Sequence, residues 1–371
     1  MRGTTSPEYI GVRAIVATVS RLGARAALLL VATALLAFGS SAAATTTAPP
    51  GFKLVLCCLD NPRGLALTRD GSIYVTEAGH GGPGPCATMR GVQMCYGATG
   101  TILRLKSHVV TRVAAGLPSY APAGGSGSEG PTRICSDPAG RLFVTYGLGM
   151  DPRLRSMLGA GGVHSGYLMR IAKTGAAHAV MDISGYEADH NPAGGPVDSN
   201  PFAVLCERNH EIVTDAGGNS LFKVKNGKPT LLGVFPSRPT RSTDSVPTSI
   251  AVHRNAYYIG ELTGKPFDVG VANIYRVVPG HAPTVYLSGF TAVIDLAFAR
   301  NGSLYVLEHA TGAGLSGPGA LIKVSPSGTR TTISAALNHP TALALGRNGT
   351  IYVVDDGTDP GAGDVLQLVK K

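Results

Sequence analysis

Six apolar, strand-like runs in this sequence each end on a polar side chain, and five of those six side chains are carboxylates. The six residues are Glu77, Tyr146, Asp215, Glu261, Glu308 and Asp355. If the runs lie side by side, the carboxylates surround one opening, where like charges repel unless they are paired, protonated or neutralised by a cation. Oxygen ligands suit a hard cation, so the ring predicts a Ca²⁺ site. The alternative is structural: each carboxylate accepts hydrogen bonds from backbone N–H groups of an adjacent loop and ties neighbouring units together.

Four histidines and one asparagine fall in segments that can reach the same opening. They are His80, His164, His190, His309 and Asn219. Histidine titrates near neutrality and binds transition metals, so these residues could serve acid–base chemistry or hold a metal. Their spacing depends on loops and no HExxH helix pattern supports it, which leaves ordinary surface histidines as the alternative. We expect these residues, with Tyr146, to mark a ligand-facing surface.

Familiar catalytic motifs fail on inspection. Residues 79–84 match GxGxxG by letter, but Pro83 removes an N–H group and no helix pattern follows to receive a phosphate. No GxSxG elbow or Walker loop occurs. The leading hypothesis is therefore a non-catalytic binding or scaffold protein. The alternative is a metal-dependent hydrolase or lactonase that uses the carboxylate ring to hold its ion.

The six cysteines favour disulfides over metal thiolates if the chain is exported. Cys86 and Cys95 lie close together in one stretch rich in Gly and Pro, and we predict a bridge between them. A bridge from this stretch to the adjacent pair Cys57 and Cys58 is the alternative. The pairing of the other cysteines stays open, since Cys135 and Cys206 fall in strand-like segments and could equally be buried free thiols.

The elements that must position these residues recur along the chain. Fifty glycines, 25 prolines and no convincing helical periodicity indicate an all-β protein. One unit of two alternating apolar strands and a tight turn, such as Asp70-Gly71 or Asn348-Gly349, occurs six times. The central apolar residues of the six units are Leu65, Ile134, Val204, Ile250, Leu296 and Leu343. They are spaced by about 46 residues, or about 70 across the first two units, which is the size of a four-stranded propeller blade.

The repeat therefore predicts one six-bladed β-propeller over residues 51–371. The chain stops one strand short of a sixth blade, and residues 53–58 have the pattern of that missing outer strand, so we expect an N-terminal strand to close the ring. The tight turns predict one smooth face. The lengthened connections 79–98, 118–130, 149–164 and 186–199 all fall on the opposite face, in the first two blades, where ligand binding is expected.

The first unit resembles the NHL-like propellers and, in particular, the exported ScyD/ScyE family. The residues that carry the resemblance are Asn61-Pro62-Arg63-Gly64-Leu65-Ala66, Ile73-Tyr74-Val75-Thr76-Glu77-Ala78-Gly79, Gly81-Gly82, Cys86 and Cys95-Tyr96-Gly97-Ala98-Thr99-Gly100. The likeness covers essentially the whole chain after residue 44. It implies a secreted propeller and no particular reaction.

The N-terminal 44 residues read as an export signal, with Arg13, Arg21 and Arg25 before an apolar run and a small-residue cleavage pattern near Ala44. An uncleaved N-terminal anchor is the alternative. We expect a secreted monomer with no integral membrane segment once the signal is cleaved. The net charge of +9 is spread thinly and forms no nucleic-acid patch. The expected partner is a small molecule, a glycan or an extracellular protein.

Overall fold

A computed structural model of the protein describes residues 48–235 and 244–369. The predicted signal peptide, residues 1–44, lies outside the described residues. No helix within the described ranges is long and apolar enough to cross a membrane.

Six antiparallel sheets, one for each repeated unit, follow one another around a ring. The first strand, β1, spans Phe52–Leu59. Blade 1 contains β2 (Pro62–Leu67), β3 (Ile73–Glu77), β4 (Cys86–Met89), β5 (Val92–Lys106) and β6 (Val109–Ala121). Blade 2 contains β7 (Pro131–Ser136), β8 (Leu142–Tyr146), β9 (Tyr167–Ile171) and β10 (Ala177–Asp182). Blade 3 contains β11 (Pro201–Cys206), β12 (Glu211–Asp215), β13 (Ser220–Lys225) and β14 (Lys228–Val234). Blade 4 contains β15 (Pro247–His253), β16 (Ala256–Glu261), β17 (Ala272–Val277) and β18 (Thr284–Phe290). Blade 5 contains β19 (Val293–Phe298), β20 (Leu304–Glu308), β21 (Gly319–Val324) and β22 (Arg330–Leu337). Blade 6 contains β23 (Ala342–Leu345), β24 (Ile351–Asp355) and β25 (Gly363–Leu368).

The ring closes as the sequence predicts. Strand β1 pairs antiparallel with β25, with Phe52 opposite Leu368 and Leu59 opposite Gly363, so the N-terminal strand completes blade 6. Closure removes two exposed sheet edges that could otherwise pair with another chain. The prediction of an all-β, six-bladed propeller with four-stranded blades is confirmed.

The core lies between the blades because each sheet buries both faces against its neighbours. In the described part of the chain, each pair of neighbouring blades shares one cluster of buried apolar side chains. Close backbone approach accompanies this packing at Gly64, where a Cβ atom would lie 2.5 Å from the Thr132 carbonyl oxygen of the next blade. Thr76 of blade 1 also makes a hydrogen bond to blade 2: its hydroxyl donates to the same carbonyl at 2.6 Å.

Extra elements sit on the face that carries the four lengthened connections, which we call the loop face. Strand β4 pairs with the start of β5, and β5 and β6 run on past the blade as a long ribbon. Short 3-10 helices span Pro152–Leu158 and Ala160–Gly162, and a third spans Ala313–Leu315. One α-helix, α1, spans Ile183–His190, where the sequence indicated only a loop. The tight turns between the first and second strands of the blades lie on the opposite side, the hairpin face.

Candidate functional site

The five predicted carboxylates each end the second strand of a blade, and each is engaged by backbone N–H groups. Four of them accept from the segment that leads into the first strand of the same blade. The contacts are Glu77 with the Asp60 N–H at 2.8 Å, Asp215 with Asn200 at 2.6 Å, Glu308 with Thr291 at 2.7 Å and Asp355 with Asn338 at 2.8 Å. Glu261 accepts instead from the Asn273 N–H at 2.8 Å. Four of the five carboxylates therefore anchor the segments that connect successive blades, and Glu261 anchors the third strand of its own blade.

All five carboxylates are buried. Burial raises the pKa of Asp355 to about 7 and that of Asp215 to about 6, although hydrogen bonds from Ser199 and the Asn200 backbone oppose the shift at Asp215. Within residues 48–235 and 244–369, no group of three or more His, Cys, Asp or Glu side chains is arranged to hold a metal ion. The backbone N–H contacts of the five carboxylates fit the structural interpretation of the ring.

Tyr146 takes the sixth position of the ring and is buried. Its ring is 1% exposed and packs in the apolar cluster between blades 1 and 2. The expectation that Tyr146 marks an exposed, ligand-facing surface is wrong, because its aromatic ring fills the interface between blades 1 and 2.

Asn219 and His309 are also buried and hold the backbone. The Asn219 side-chain oxygen accepts from the Val246 N–H at 2.9 Å and so fixes the start of blade 4. His309 Nδ1 lies 3.0 Å from the Pro340 carbonyl, and burial lowers the pKa of His309 to about 4. Neither side chain is placed on an exposed ligand-facing surface.

The other three predicted histidines are accessible, and each has a different neighbour. His164 meets the edge of the Tyr167 ring at 5.2 Å, and His190 stacks on Tyr186 at 4.0 Å between ring centroids. His80 Nδ1 lies 3.0 Å from an oxygen of Asp60. The three histidines therefore do not share a partner. Of the three, His80 alone contacts a carboxylate.

The loop face of blades 1 and 2 has a hydrophobic core of its own. Buried side chains from β4, β5, β6 and the 149–164 connection pack together; they are Ala87, Met89, Met94, Tyr120, Leu148, Met150 and Leu158. The predicted disulfide between Cys86 and Cys95 is present and joins β4 to β5. These loops are therefore packed and cross-linked, and we call them the platform.

A groove of about 510 Å³ opens on this platform beside His80. Its walls come from the two lengthened connections of blade 1 and from the loop of blade 6; the lining residues are His80, Gly82, Gln93, Cys95, Ala121, Pro122, Ala123, Gly124, Gly125 and Pro360. The buried amide of Asn61 pins both walls, since its Nδ2 donates to the carbonyls of Gly79 at 2.8 Å and Gly125 at 2.9 Å. Asn61 adopts a left-handed backbone with φ of 48°, a conformation that asparagine tolerates better than most residues.

A larger cavity, about 780 Å³, lies on the hairpin face, which the sequence predicted to be smooth. Tight turns of blades 1, 2 and 6 line it, including residues 67–74, 136–140 and 345–348. Among its charged groups, Asp70 pairs with Lys106 at 2.7 Å and with Arg104 at 3.1 Å. Short turns ring the channel mouth without covering it, which produces a cavity where a flat surface was expected.

A buried ion pair on the channel axis escaped the sequence reasoning. Arg133 of β7 donates to the carbonyls of Arg63, Ile294 and Thr341, which belong to blades 1, 5 and 6, and lies 3.5 Å from an oxygen of Asp295. Aligning the six repeated units does reveal this pair. The residues that precede the six central apolar positions are Gly64, Arg133, Ala203, Ser249, Asp295 and Ala342. Four of these are small, and the two exceptions are a complementary charged pair.

Glu187 is a second buried group that the sequence did not indicate. It lies on α1, is 1% exposed, and its Oε2 has no hydrogen-bond partner among the described residues. Burial is the main cause that raises the pKa of Glu187 to about 7, and the neighbouring charges of Asp215 and Asp198 contribute less. The helix was missed because Gly185 interrupts it and its apolar residues follow no helical period.

No known family model matches this sequence. No curated protein matches it at a significant level either. Similar solved structures include the calcium-binding protein regucalcin from Agrobacterium tumefaciens, with 15% identity, a TM-score of 0.50 and coverage of 86% of this chain and 92% of that one. The PQQ-bound aldose sugar dehydrogenase of Streptomyces coelicolor has 14% identity, a TM-score of 0.50 and coverage of 86% and 99%. Virginiamycin B lyase from Staphylococcus aureus has 13% identity, a TM-score of 0.48 and coverage of 85% and 87%. At such identities the likeness shows the propeller fold alone.

Proposed function

We propose that this chain is a secreted, ligand-binding propeller and that its ligand occupies the groove beside His80. The observation that carries the proposal is the construction of the groove: its walls are lengthened loops that a disulfide, a separate hydrophobic core and Asn61 hold in place. Ordered loops on a rigid scaffold are where binding residues are usually placed.

The size and lining of the groove support a small molecule as the ligand, in preference to a glycan or a protein. A volume of about 510 Å³ lies within the range of about 300 to 1,000 Å³ that is common for small-molecule sites. Ala121, Pro122, Ala123 and Pro360 offer small apolar surfaces without charge. We therefore expect a ligand with a flat apolar body and one polar group.

His80 is the polar group that would orient such a ligand. Asp60 holds Nδ1, which leaves Nε2 without a hydrogen-bond partner among the residues that the structure describes. The backbone of His80 is fixed as well, since its N–H donates to the Thr99 hydroxyl at 3.0 Å. No Ser, Thr or Cys side chain in the described ranges bonds to the His80 ring, so the pair lacks the neighbouring nucleophile of a hydrolytic triad. This arrangement favours binding over catalysis.

A fragment screen by NMR tests the proposal. Small aromatic acids, alcohols and lactones are added to isotope-labelled protein, and we expect hits to shift the resonances of His80 and Gln93. The variant His80→Ala should weaken the best hit at least about tenfold, the loss expected for one oriented hydrogen bond in a partly buried site. His178→Ala, which removes an exposed histidine from the outer strand of blade 2, is the matched control and should bind as the wild type does. Hits that bind His80→Ala with unchanged affinity, or that shift only residues of the hairpin face, would contradict the proposal.

A further inference from the structure

Cys57 and Cys58 lie at an irregularity in the closing strand. The pairing of β1 with β25 shifts register between Leu56, opposite Val365, and Leu59, opposite Gly363. Two residues of β1 therefore face the single residue Asp364, which is the arrangement of a β-bulge. Cys58 has a left-handed backbone with φ of 65°.

The bulge interrupts the regular alternation of side chains in β1. Successive side chains of a regular strand point to opposite faces of the sheet. At a bulge the ladder is disrupted and the strand bends, so the alternation that would hold the sulfurs of Cys57 and Cys58 on opposite faces is broken here. Cys58 is exposed and Cys57 is partly buried, and both are free thiols, whereas the other four cysteines form two disulfides.

A buried carboxylate faces the pair. Asp364 lies opposite the bulge, is 5% exposed, and its Oδ1 has no hydrogen-bond partner among the described residues. Its negative charge disfavours a thiolate on Cys57 and favours any product of the two sulfurs that is neutral.

We propose that Cys57 and Cys58 form a vicinal dithiol that oxidises reversibly to a disulfide between adjacent residues on the ring-closing strand. The oxidant is a disulfide, either a low-molecular-weight one such as oxidised glutathione or that of a thiol–disulfide oxidoreductase. The exposed Cys58 thiolate attacks one sulfur of the reagent and expels a thiolate, which leaves a mixed disulfide on Cys58. The Cys57 sulfur then attacks the Cys58 sulfur, the new S–S bond closes the ring, and a second reagent thiol departs. Both protein sulfurs are oxidised, the two reagent sulfurs are reduced, and the two thiol protons pass to the departing thiolates.

The order of the two steps follows from the environment of each thiol. Cys58 is accessible to a disulfide reagent. The neighbouring Cys58 thiol, burial and nearby charge raise the pKa of Cys57 to about 11, so Cys57 acts second, after the reagent has been captured. Because exchange requires a thiolate, ring closure should accelerate as the pH rises from 7 towards 10.

The first test treats the purified full chain with oxidised glutathione and follows intact mass and free thiols. The wild type should lose both free thiols and two hydrogens, with no glutathione retained, and peptide mapping should place the link between Cys57 and Cys58. In Cys57→Ser the mixed disulfide on Cys58 should persist, because the second sulfur is missing. Stable glutathione on the wild type, a covalent dimer, or a link to Cys86, Cys95, Cys135 or Cys206 would overturn the proposal.

A second measurement tests the proximity of the sulfurs without oxidation. Phenylarsine oxide condenses with two neighbouring thiols to a cyclic dithioarsinite and releases water. The wild type should bind one equivalent, and Cys57→Ser and Cys58→Ser should each bind at least tenfold more weakly. Equal binding by the single variants would show that the two thiols do not act together. Both tests are independent of the groove and stand if the proposed ligand site fails.

Discussion

Arg133 shows how a charged side chain is accommodated on the axis of the propeller. Its guanidinium meets backbone carbonyls of three blades and the carboxylate of Asp295, whose other bonds come from the N–H groups of Leu296 at 2.9 Å and Leu343 at 2.7 Å. A buried charge is stable when it is paired and hydrogen-bonded in this way. The pair links blade 2 to blade 5, which are not neighbours in the ring. Apolar side chains would not make such a connection across the channel.

Replacing Arg133 with methionine should lower the free energy of unfolding by about 3 to 5 kcal/mol, because Asp295 would stay buried without its counter-charge. Urea unfolding measures the change. The double variant Arg133→Met, Asp295→Asn is the matched control and should recover more than about 1 kcal/mol of the loss, since the uncompensated charge is gone. A double variant no more stable than the single one would show that Arg133 acts through packing alone.

Glu187 predicts a pH dependence that can be isolated by one substitution. Its pKa is raised from 4.5 to about 7 in the folded state. The stability that it contributes is therefore fully present below about pH 4.5 and is lost as the pH rises through about 7. Glu187→Gln, which keeps the shape of the protonated acid, should match the wild type at pH 5 and exceed it at pH 8 by on the order of 1 to 3 kcal/mol.

Melting curves at the two pH values measure this difference. Asp189→Asn removes an exposed carboxylate from the same helix and should leave the pH dependence unchanged. Equal melting temperatures of Glu187→Gln and the wild type at pH 8 would refute a protonated, buried Glu187.

At the scale of residues, the sequence predicted where the ring carboxylates lie better than it predicted what they do. Register placed Glu77, Asp215 and Asp355 at the ends of inner strands, and they are there. Their roles depend on N–H groups of segments such as 60–61 and 199–200, whose geometry no local pattern encodes. Arg133 and Asp295 interrupt a column of small residues, so comparing the six units position by position would have revealed them.

At the scale of elements, the two disulfides make different connections. Cys135–Cys206 joins β7 of blade 2 to β11 of blade 3, with a sequence separation of 71, whereas Cys86–Cys95 closes a separation of 9 inside one hairpin. A cross-link over a longer segment removes more conformational freedom from the unfolded chain. The bond between blades should therefore carry more of the global stability.

Removing each disulfide by a pair of Cys→Ala substitutions tests this ranking. Loop-entropy estimates give a loss of about 4 kcal/mol for the pair at 135 and 206 and about 2 to 3 kcal/mol for the pair at 86 and 95. Removing the disulfide at 86 and 95 should instead raise the rate of amide hydrogen exchange in residues 79–98. Denaturant melts do not report this local change. The reverse ranking in urea would mean that loop length does not govern these two bonds.

Strands with alternating apolar residues and Asn-Gly or Asp-Gly turns could be predicted because their signals are local. The long ribbon of β5 and β6 was read partly as a loop, since Gly97 and Gly100 interrupt its pattern. Both glycines allow close contacts: a Cβ atom on Gly97 would clash with the Gly81 carbonyl oxygen, and one on Gly100 would lie 2.8 Å from the Pro131 ring. Helix α1 depends on its cap, where the Asp182 side chain accepts from the Gly185 N–H at 2.7 Å.

At the scale of the whole molecule, stability depends on ring closure by β1. Phe52 and Leu59 are both buried in this strand, and the hydroxyl of Thr341 in blade 6 donates to the Pro62 carbonyl of blade 1 at 2.7 Å. The fold could be predicted because six similar units and a missing final strand leave few alternatives to a closed ring. The cavity on the hairpin face could not, because it arises from the spacing of turns around the axis.

Deleting residues 51–58 should lower the melting temperature by on the order of 10 °C or more, since the deletion exposes apolar side chains and removes the hydrogen bonds to β25. A synthetic peptide of residues 51–59, added in excess, should restore part of the loss by pairing with the open edge. An unchanged melt after the deletion would contradict closure by this strand.

The two ends of the folded ring leave it at the same place. The Val369 N–H donates to the Gly51 carbonyl at 2.8 Å, and Phe52 lies opposite Leu368. This edge of blade 6 lies towards the hairpin face, because the turns joining third to fourth strands lie on that side. A tether attached before residue 51 or after residue 369 would therefore present the propeller in the same orientation, with the groove beside His80 pointing away from the support. Immobilisation through either end of the ring should leave that groove equally open to small molecules.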